Sequence, residues 1–164
     1  MVLIRRADAN DRELIEAMLI AAADWRPGTE PRSVAALMSE PALAHYAEGW
    51  PKQTDLGVLA EDEDGTGVGA AWWRFFDVTD PGFGFVDEAV PEVSIGVAAG
   101  RRGEGIGKAL LDALVHCAVN QRLKGLSLSV ETDNFALRLY EQAGFTRHAE
   151  AGGCVTMLLP LDHV

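Results

Sequence analysis

Val97-Ala98-Ala99-Gly100-Arg101-Arg102-Gly103-Glu104-Gly105-Ile106-Gly107 joins two different periodicities. Upstream, Val93 to Val97 is an apolar, strand-like run, and downstream Ile106, Leu110, Ala113, Leu114 and Cys117 fall on one face of a helix. A glycine-rich turn between a strand and a helix N-terminus leaves several backbone N–H groups pointing outward, and the helix dipole adds partial positive charge there. Such a turn suits a phosphate or pyrophosphate, with Arg102 able to supply a full countercharge. Two common phosphate loops fail on spelling. Gly107-Lys108 is followed by Ala109, which cannot ligate magnesium as the Ser/Thr of a Walker loop does. Counted from Gly103 and Gly105, a dinucleotide fingerprint would place its third glycine where Lys108 stands.

A second segment follows the alternating strand Leu126-Ser127-Leu128-Ser129-Val130. It runs Glu131-Thr132-Asp133-Asn134, then a helix from Phe135 to Ala143, then Gly144-Phe145. Asp133 or Asn134 suits the helix cap, and Gly144 a left-handed stop. Arg102-x-x-Gly105-x-Gly107 resembles the acetyl-CoA signature of the GNAT superfamily of N-acetyltransferases. Asn134-Phe135-Ala136, Leu139-Tyr140-Glu141 and Gly144-Phe145 resemble that superfamily's C-terminal acetyl-CoA segment, with Asp133 an alternative to Asn134 as the cofactor-facing residue. The resemblance is close over residues 91 to 160 and covers the first half only in outline.

Bulk properties agree with one soluble enzyme domain over residues 1–164. Hydrophobic residues make up 48% of the chain and charged residues 24%, which is ordinary for a packed core with a hydrated surface. A net charge of −11, from 14 basic and 25 acidic residues, argues against a nucleic-acid partner. No apolar run is long enough for a membrane span, and the N-terminus lacks a signal peptide's order of charge then apolar core, so a cytoplasmic location is expected. Cys117 and Cys154 read as small buried hydrophobes, not a disulfide framework. No Cys/His cluster has metal-ligand spacing, and His45, His116, His148 and His163 suggest no catalytic pair, so no metal is expected.

The remaining pattern is mixed α/β. Val2 to Arg6 predicts a strand. A helix with a capping-box-like start at Asn10 and Glu13 follows, ended by Trp25-Arg26-Pro27-Gly28. Helical sequence from Ser33 to about Ala47 is interrupted at Pro41. Strands are expected at Leu56 to Glu61, Val68 to Phe76, Glu92 to Ala98, Gly125 to Val130, near Thr146, and at Val155 to Leu159.

The resemblance implies a GNAT-type domain with a central, mostly antiparallel sheet, splayed so that acetyl-CoA enters one side and the acceptor the other. It implies that the backbones of Ile95, Val97 and Ala99 meet the pantetheine arm. It assigns Arg102, Gly103, Glu104, Gly105, Ile106, Gly107 and Lys108 to the pyrophosphate turn, and Asn134 to the cofactor arm. The implied reaction is acetyl transfer from acetyl-CoA to a primary amine of a small molecule or peptide, and the superfamily's frequent dimers make a homodimer compatible. The amine must be neutral to attack the thioester. For a free-amine pKa near ~10.4, that costs roughly 4 to 5 kcal/mol at pH 7, so a base helps. Tyr140 matches the usual general acid, though its helical face also suits packing. Glu92 leads the candidate bases, followed by Asp87, Glu88 and Glu131, each equally readable as solvated charge. Trp25, Tyr46, Trp50, Trp72, Trp73, Phe75, Phe83 and Phe85 are candidate pocket walls, although aromatics at strand and helix positions are more often core, and Phe83 and Phe85 are favoured by their glycine-containing loop. A CoA-binding sensor with little transfer activity, or a partner-binding domain that reuses the fold, are the alternatives.

Overall fold

A computed structural model describes residues 1–161; His163 lies outside the described residues. Seven strands form one sheet in the order β1-β2-β3-β4-β5-β7-β6. They are β1 (Leu3–Arg6), β2 (Leu56–Glu61), β3 (Gly67–Arg74), β4 (Glu92–Val97), β5 (Gly125–Glu131), β6 (Thr146–Ala151) and β7 (Cys154–Pro160). The helices are α1 (Arg12–Ala23), α2 (Val34–Met38), α3 (Pro41–Ala44), α4 (Ile106–Asn120) and α5 (Ala136–Gln142). The mixed α/β class and the placement of all seven strands match the sequence pattern. The chain forms two compact units, Met1–Trp73 with Ser94–Leu114, and Arg74–Val93 with the segment from Val115 onward. The divisions fall before the last residue of β3, inside β4 and inside α4.

In the first unit β1, β2 and β3 form an antiparallel meander. Trp72 and Trp73 point to opposite faces of β3, yet both are fully buried. Their indole N–H groups donate to the carbonyls of Tyr46 at 2.9 Å and Thr54 at 3.1 Å, so the buried polar atoms are satisfied. Tyr46 and Trp50 are buried too. These four aromatics are core, not pocket wall. The capping box lies earlier than Asn10 and Glu13 suggested, on a 3-10 turn at Ala9–Asp11 that leads into α1. Asp8 accepts from the Asn10 N–H at 2.8 Å, and Asp11 accepts from the Asp8 N–H at 2.7 Å. Arg5 explains the shift, because its guanidinium grips Asp11 at 2.8 and 3.0 Å and fixes that carboxylate where it can return to Asp8. The same ion pair holds the Asp11 carboxyl below its usual range. Ser33 caps α2 through the Ala36 N–H at 3.1 Å, and Pro41 opens α3, a position where its missing N–H costs nothing. Gly96 is required by contact. A Cβ there would overlap the backbone carbonyl of Met18, so α1 lies directly on β4.

In the second unit the alternation along β5 separates two faces. Leu126, Leu128 and Val130 stand opposite Leu159, Met157 and Val155 of β7, and all six are buried. The other face carries Ser127, Ser129 and, from β7, Thr156. Its cover is the loop before β4. A Cβ on Gly84 would meet the Leu128–Ser129 peptide, and Thr156 donates to the Phe83 carbonyl at 3.4 Å. β6 is the sheet's edge, exposed along its whole length and shifted in register between Arg147 and Ala149. Cys117 and Cys154 are free thiols, half-buried instead of fully buried, because each sits at the margin of its element's apolar face.

Candidate functional site

The glycine turn of the first unit is built to present backbone. After β4, Ala99–Arg101 forms a single 3-10 turn. Gly103 and Gly105 then take left-handed φ values of 81° and 82°, a conformation that strains other residues. No atom lies within 4 Å of a Cβ built on either, so the turn is open on that side. In α4 the first N–H with an upstream helical partner is that of Ala109, bonded to the Gly105 carbonyl at 3.1 Å. The N–H groups before it face outward at the positive end of a 15-residue helix. Ile106 is buried beneath them, Gly107 is half-buried, and Ile95 and Val97 are half-buried along β4.

The turn's charged side chains are placed differently from the sequence expectation. Arg102 donates to the carbonyls of Ala21 at 3.1 Å and Trp25 at 3.0 Å, capping the C-terminal end of α1. Arg101 grips both oxygens of Asp62, at 2.6 and 2.7 Å, and meets Glu104 at 3.0 Å. Asp62, and after it Glu104, raise the Arg101 pKa further above its already high value. Lys108 reaches along α4 to Asp112 at 2.7 Å. Glu104 is therefore held by Arg101, away from any bound anion. With both arginines engaged, what the turn has to offer an anion is chiefly its oriented N–H groups. Arg101 and Asp62 were not singled out in the sequence.

A cavity of about 270 Å³ opens beside this turn, between α1, the loop that follows it, Ala99 and Arg102. Its walls include Ala17, Ile20, Trp25, Pro27 and Pro31. Asp24 also lines it, but its carboxylate is occupied by Arg32 at 2.7 and 3.0 Å. That pairing keeps the Asp24 carboxyl below its usual range.

The other candidates lie in the second unit. Asn134 is the functional cap of α5. Its side-chain oxygen accepts from the Ala136 N–H at 2.9 Å, and its carbonyl from the Leu137 N–H at 3.1 Å. The side-chain NH2 remains the group with which Asn134 can donate to a ligand. Tyr140 is 9% exposed and stands edge-on to Phe145, with ring centres 6.1 Å apart. Burial pushes its phenol up to about 12. Gly144 closes the helix at φ 105°, as the pattern anticipated.

Among the carboxylates proposed as base, Glu92 alone is buried, at 3% exposure; Asp87 and Glu88 are exposed and Glu131 is half-buried. Asp87 caps a local turn at the Ala89 N–H, 2.7 Å away. Glu92 pairs in parallel register with Ser127, and both side chains project from the same face. Ser127 is fully buried and its hydroxyl oxygen has no hydrogen-bond partner among the described residues. The alternation Leu126-Ser127-Leu128-Ser129 carried that information, since serines on one face of a buried strand mark a polar surface. Phe83 is 61% exposed at this face's cover, while Phe85 is half-buried.

The sequence profile of the Acetyltransferase (GNAT) family matches residues 18–145, and the chain belongs to that family. It is 31% identical over 140 residues to a mycothiol acetyltransferase from Amycolatopsis mediterranei (strain U-32), covering 84% of this chain and 44% of that protein. The chain thus spans less than half the length of the curated relatives it matches. A ribosomal-protein-alanine N-acetyltransferase from Brucella melitensis superposes with a TM-score of 0.67 at 24% identity, over 97% of this chain and 99% of that one. A GNAT phosphinothricin acetyltransferase from Sinorhizobium meliloti, in complex with acetyl-CoA, gives 0.70 at 22% identity, over 98% and 88%. These two structures share the fold. Among the described residues no helix is long and apolar enough to cross a membrane, and no three His, Cys, Asp or Glu side chains are grouped to hold a metal ion.

Proposed function

We propose that this chain is an acetyl-CoA-dependent N-acetyltransferase. The family match over residues 18–145 supports this reading. The observation that carries the reading is the open turn at Gly103 and Gly105, ahead of α4 and directly after β4. In this reading the N–H groups of residues 103–108 hold the diphosphate. The backbones of Ile95, Val97 and Ala99 hold the pantetheine arm, and the Asn134 amide donates to it.

The chemistry then divides between two buried side chains. Glu92 receives a proton from the acceptor ammonium, directly or through water, and the neutral amine attacks the thioester carbonyl. A C–N bond forms, the carbonyl electrons return, and the C–S bond breaks to release the CoA thiolate. A phenol with a pKa near 12 is protonated at neutral pH, so Tyr140 is a hydrogen-bond donor to that thiolate. Because an ordinary thiol has a pKa of ~8.5, full transfer from such a phenol is uphill. Tyr140 therefore works best as a relay that passes on the second amine proton as it gives up its own. Burial serves both groups by strengthening each hydrogen bond made inside the site.

The acceptor class is a primary amine of a small molecule or peptide. The relative named for mycothiol favours a small molecule, and the acidic surface, with a net charge of −11, favours a cation over nucleic acid. A cytoplasmic location suits a reaction that draws on acetyl-CoA. The test is acetyl-CoA-dependent thiol release against a panel of primary amines, with calorimetry of acetyl-CoA alone. Release with one amine class is expected. Binding without release would favour a sensor, and no binding would overturn the cofactor assignment.

A further inference from the structure

We infer that Arg102 is a positioning residue that latches the loop after α1 to the phosphate turn, so that filling the turn sets the walls of the neighbouring cavity. The inference rests on the turn being the acetyl-CoA site. Three observations carry it. First, the Arg102 guanidinium does not project from the mouth of the turn but spans the Ala21 and Trp25 carbonyls, one in the last turn of α1 and one just beyond it. A planar fork held by two acceptors is a fixed link, which a flexible ammonium would not reproduce. Second, the turn has little rigidity of its own. Gly100, Gly103, Gly105 and Gly107 lie within eight residues, and its anchors are the side chains of Arg101, on Asp62, and Arg102, on α1. Third, the segment at the far end of the Arg102 latch forms the cavity. Asp24, Trp25, Pro27 and Pro31 line it together with Arg102 itself.

Ligands that order a flexible element lower the cost of ordering whatever is tied to it. A diphosphate bound to the turn's N–H groups fixes the backbone at Arg102, and through its fork the end of α1 and the cavity wall. The loop after α1 is then shaped once the acetyl donor is in place. The opposite arrangement has the guanidinium leave both carbonyls and pair with the phosphates, which would loosen the same loop. The two arrangements differ in sign.

Amide hydrogen exchange reads that sign with acetyl-CoA as the only probe. The reporters are the Asp24 N–H, bonded to the Ile20 carbonyl at 2.8 Å, and the Arg32 N–H, bonded to Asp24 at 2.9 Å. Saturating acetyl-CoA is expected to slow their exchange at least about five-fold, the low end of ordinary coupling between sites. In Arg102→Lys and Arg102→Ala, with acetyl-CoA still bound by calorimetry, that ligand-dependent slowing disappears. A purely structural role would speed exchange equally with and without ligand, leaving the difference intact, and would sink the latch. Faster exchange in the wild-type chain on adding acetyl-CoA would overturn it in favour of the countercharge. Calorimetry without binding in the wild-type chain would remove the cofactor reading, and the latch with it.

Discussion

The glycine turn and the polar face of β5 solve opposite problems. The turn is exposed at Gly103, Glu104 and Gly105 and, in the proposed reading, works through main-chain N–H groups, with its arginines turned aside to hold neighbouring elements. Around β5 the groups on offer are side chains, Glu92, Ser127 and Tyr140, each nine-tenths buried or more. A main-chain site tolerates changes in side-chain chemistry and fails when the backbone cannot adopt its angles. A buried side-chain site holds its backbone easily and fails when one functional group is removed. The proposed function therefore assigns affinity to the first region and turnover to the second.

The sharpest way to break that division is Tyr140→Phe. Loss of the hydroxyl is expected to lower kcat about 100-fold or more, in the range of general acid–base catalysis, with acetyl-CoA affinity changed by less than about two-fold. Steady-state kinetics beside calorimetry would decide it, and undiminished turnover at saturating substrate removes Tyr140 from the chemistry. The same phenol makes stability depend on alkaline pH. Its folded pKa is about 12, against ~10 when unfolded, so the unfolded state loses its proton first. Tyr140's contribution is intact below pH 10 and falls by on the order of 2–3 kcal/mol between pH 10 and 12. Urea titrations across that window in wild type and Tyr140→Phe should diverge only there.

A smaller effect is expected at Gly105→Ala. Nothing occupies the space of the new methyl, so the loss is conformational, about 1–2 kcal/mol for a left-handed residue. Acetyl-CoA affinity should fall, while kcat at saturation stays within about two-fold; a kcat loss without an affinity loss would erase the contrast between the regions. Ser127→Ala should be the mildest for the fold. Removing a buried hydroxyl that has no partner among the described residues is neutral or stabilising by up to ~1 kcal/mol. A Tm unchanged or raised together with reduced turnover would mark Ser127 as retained for the reaction; a clearly lowered Tm would mean the hydroxyl has a structural partner.

Legibility in the sequence follows the same divide. Gly103, Gly105 and Gly144 were readable because left-handed backbone selects glycine locally, and the faces of α4 and β5 because periodicity is local too. Tyr140 and Asn134 came from the order of a motif. The direction of Arg102 was not readable, since it depends on the Trp25 carbonyl just beyond α1, 77 residues earlier in the chain. Trp72 and Trp73 stayed unassigned between core and pocket wall for a related reason. Aromatic residues signal burial, but only the carbonyls of Tyr46 and Thr54 reveal that both are core. The capping box moved to Asp8 and Asp11 because Arg5, on a different element, selected which carboxylate was held in place.

The interleaving of the two units bears on how the polypeptide comes off the ribosome. Residues 1–73 are made first, yet the unit they belong to also requires Ser94–Leu114, and the intervening Arg74–Val93 belongs to the other unit. The nascent N-terminal part must therefore wait, with Gly96 still to be seated against Met18, until the phosphate turn and the start of α4 have emerged. No cut at one peptide bond separates the units. Half-length fragments should be insoluble from either end, and swapping one half between relatives should succeed only when both segments of a unit travel together.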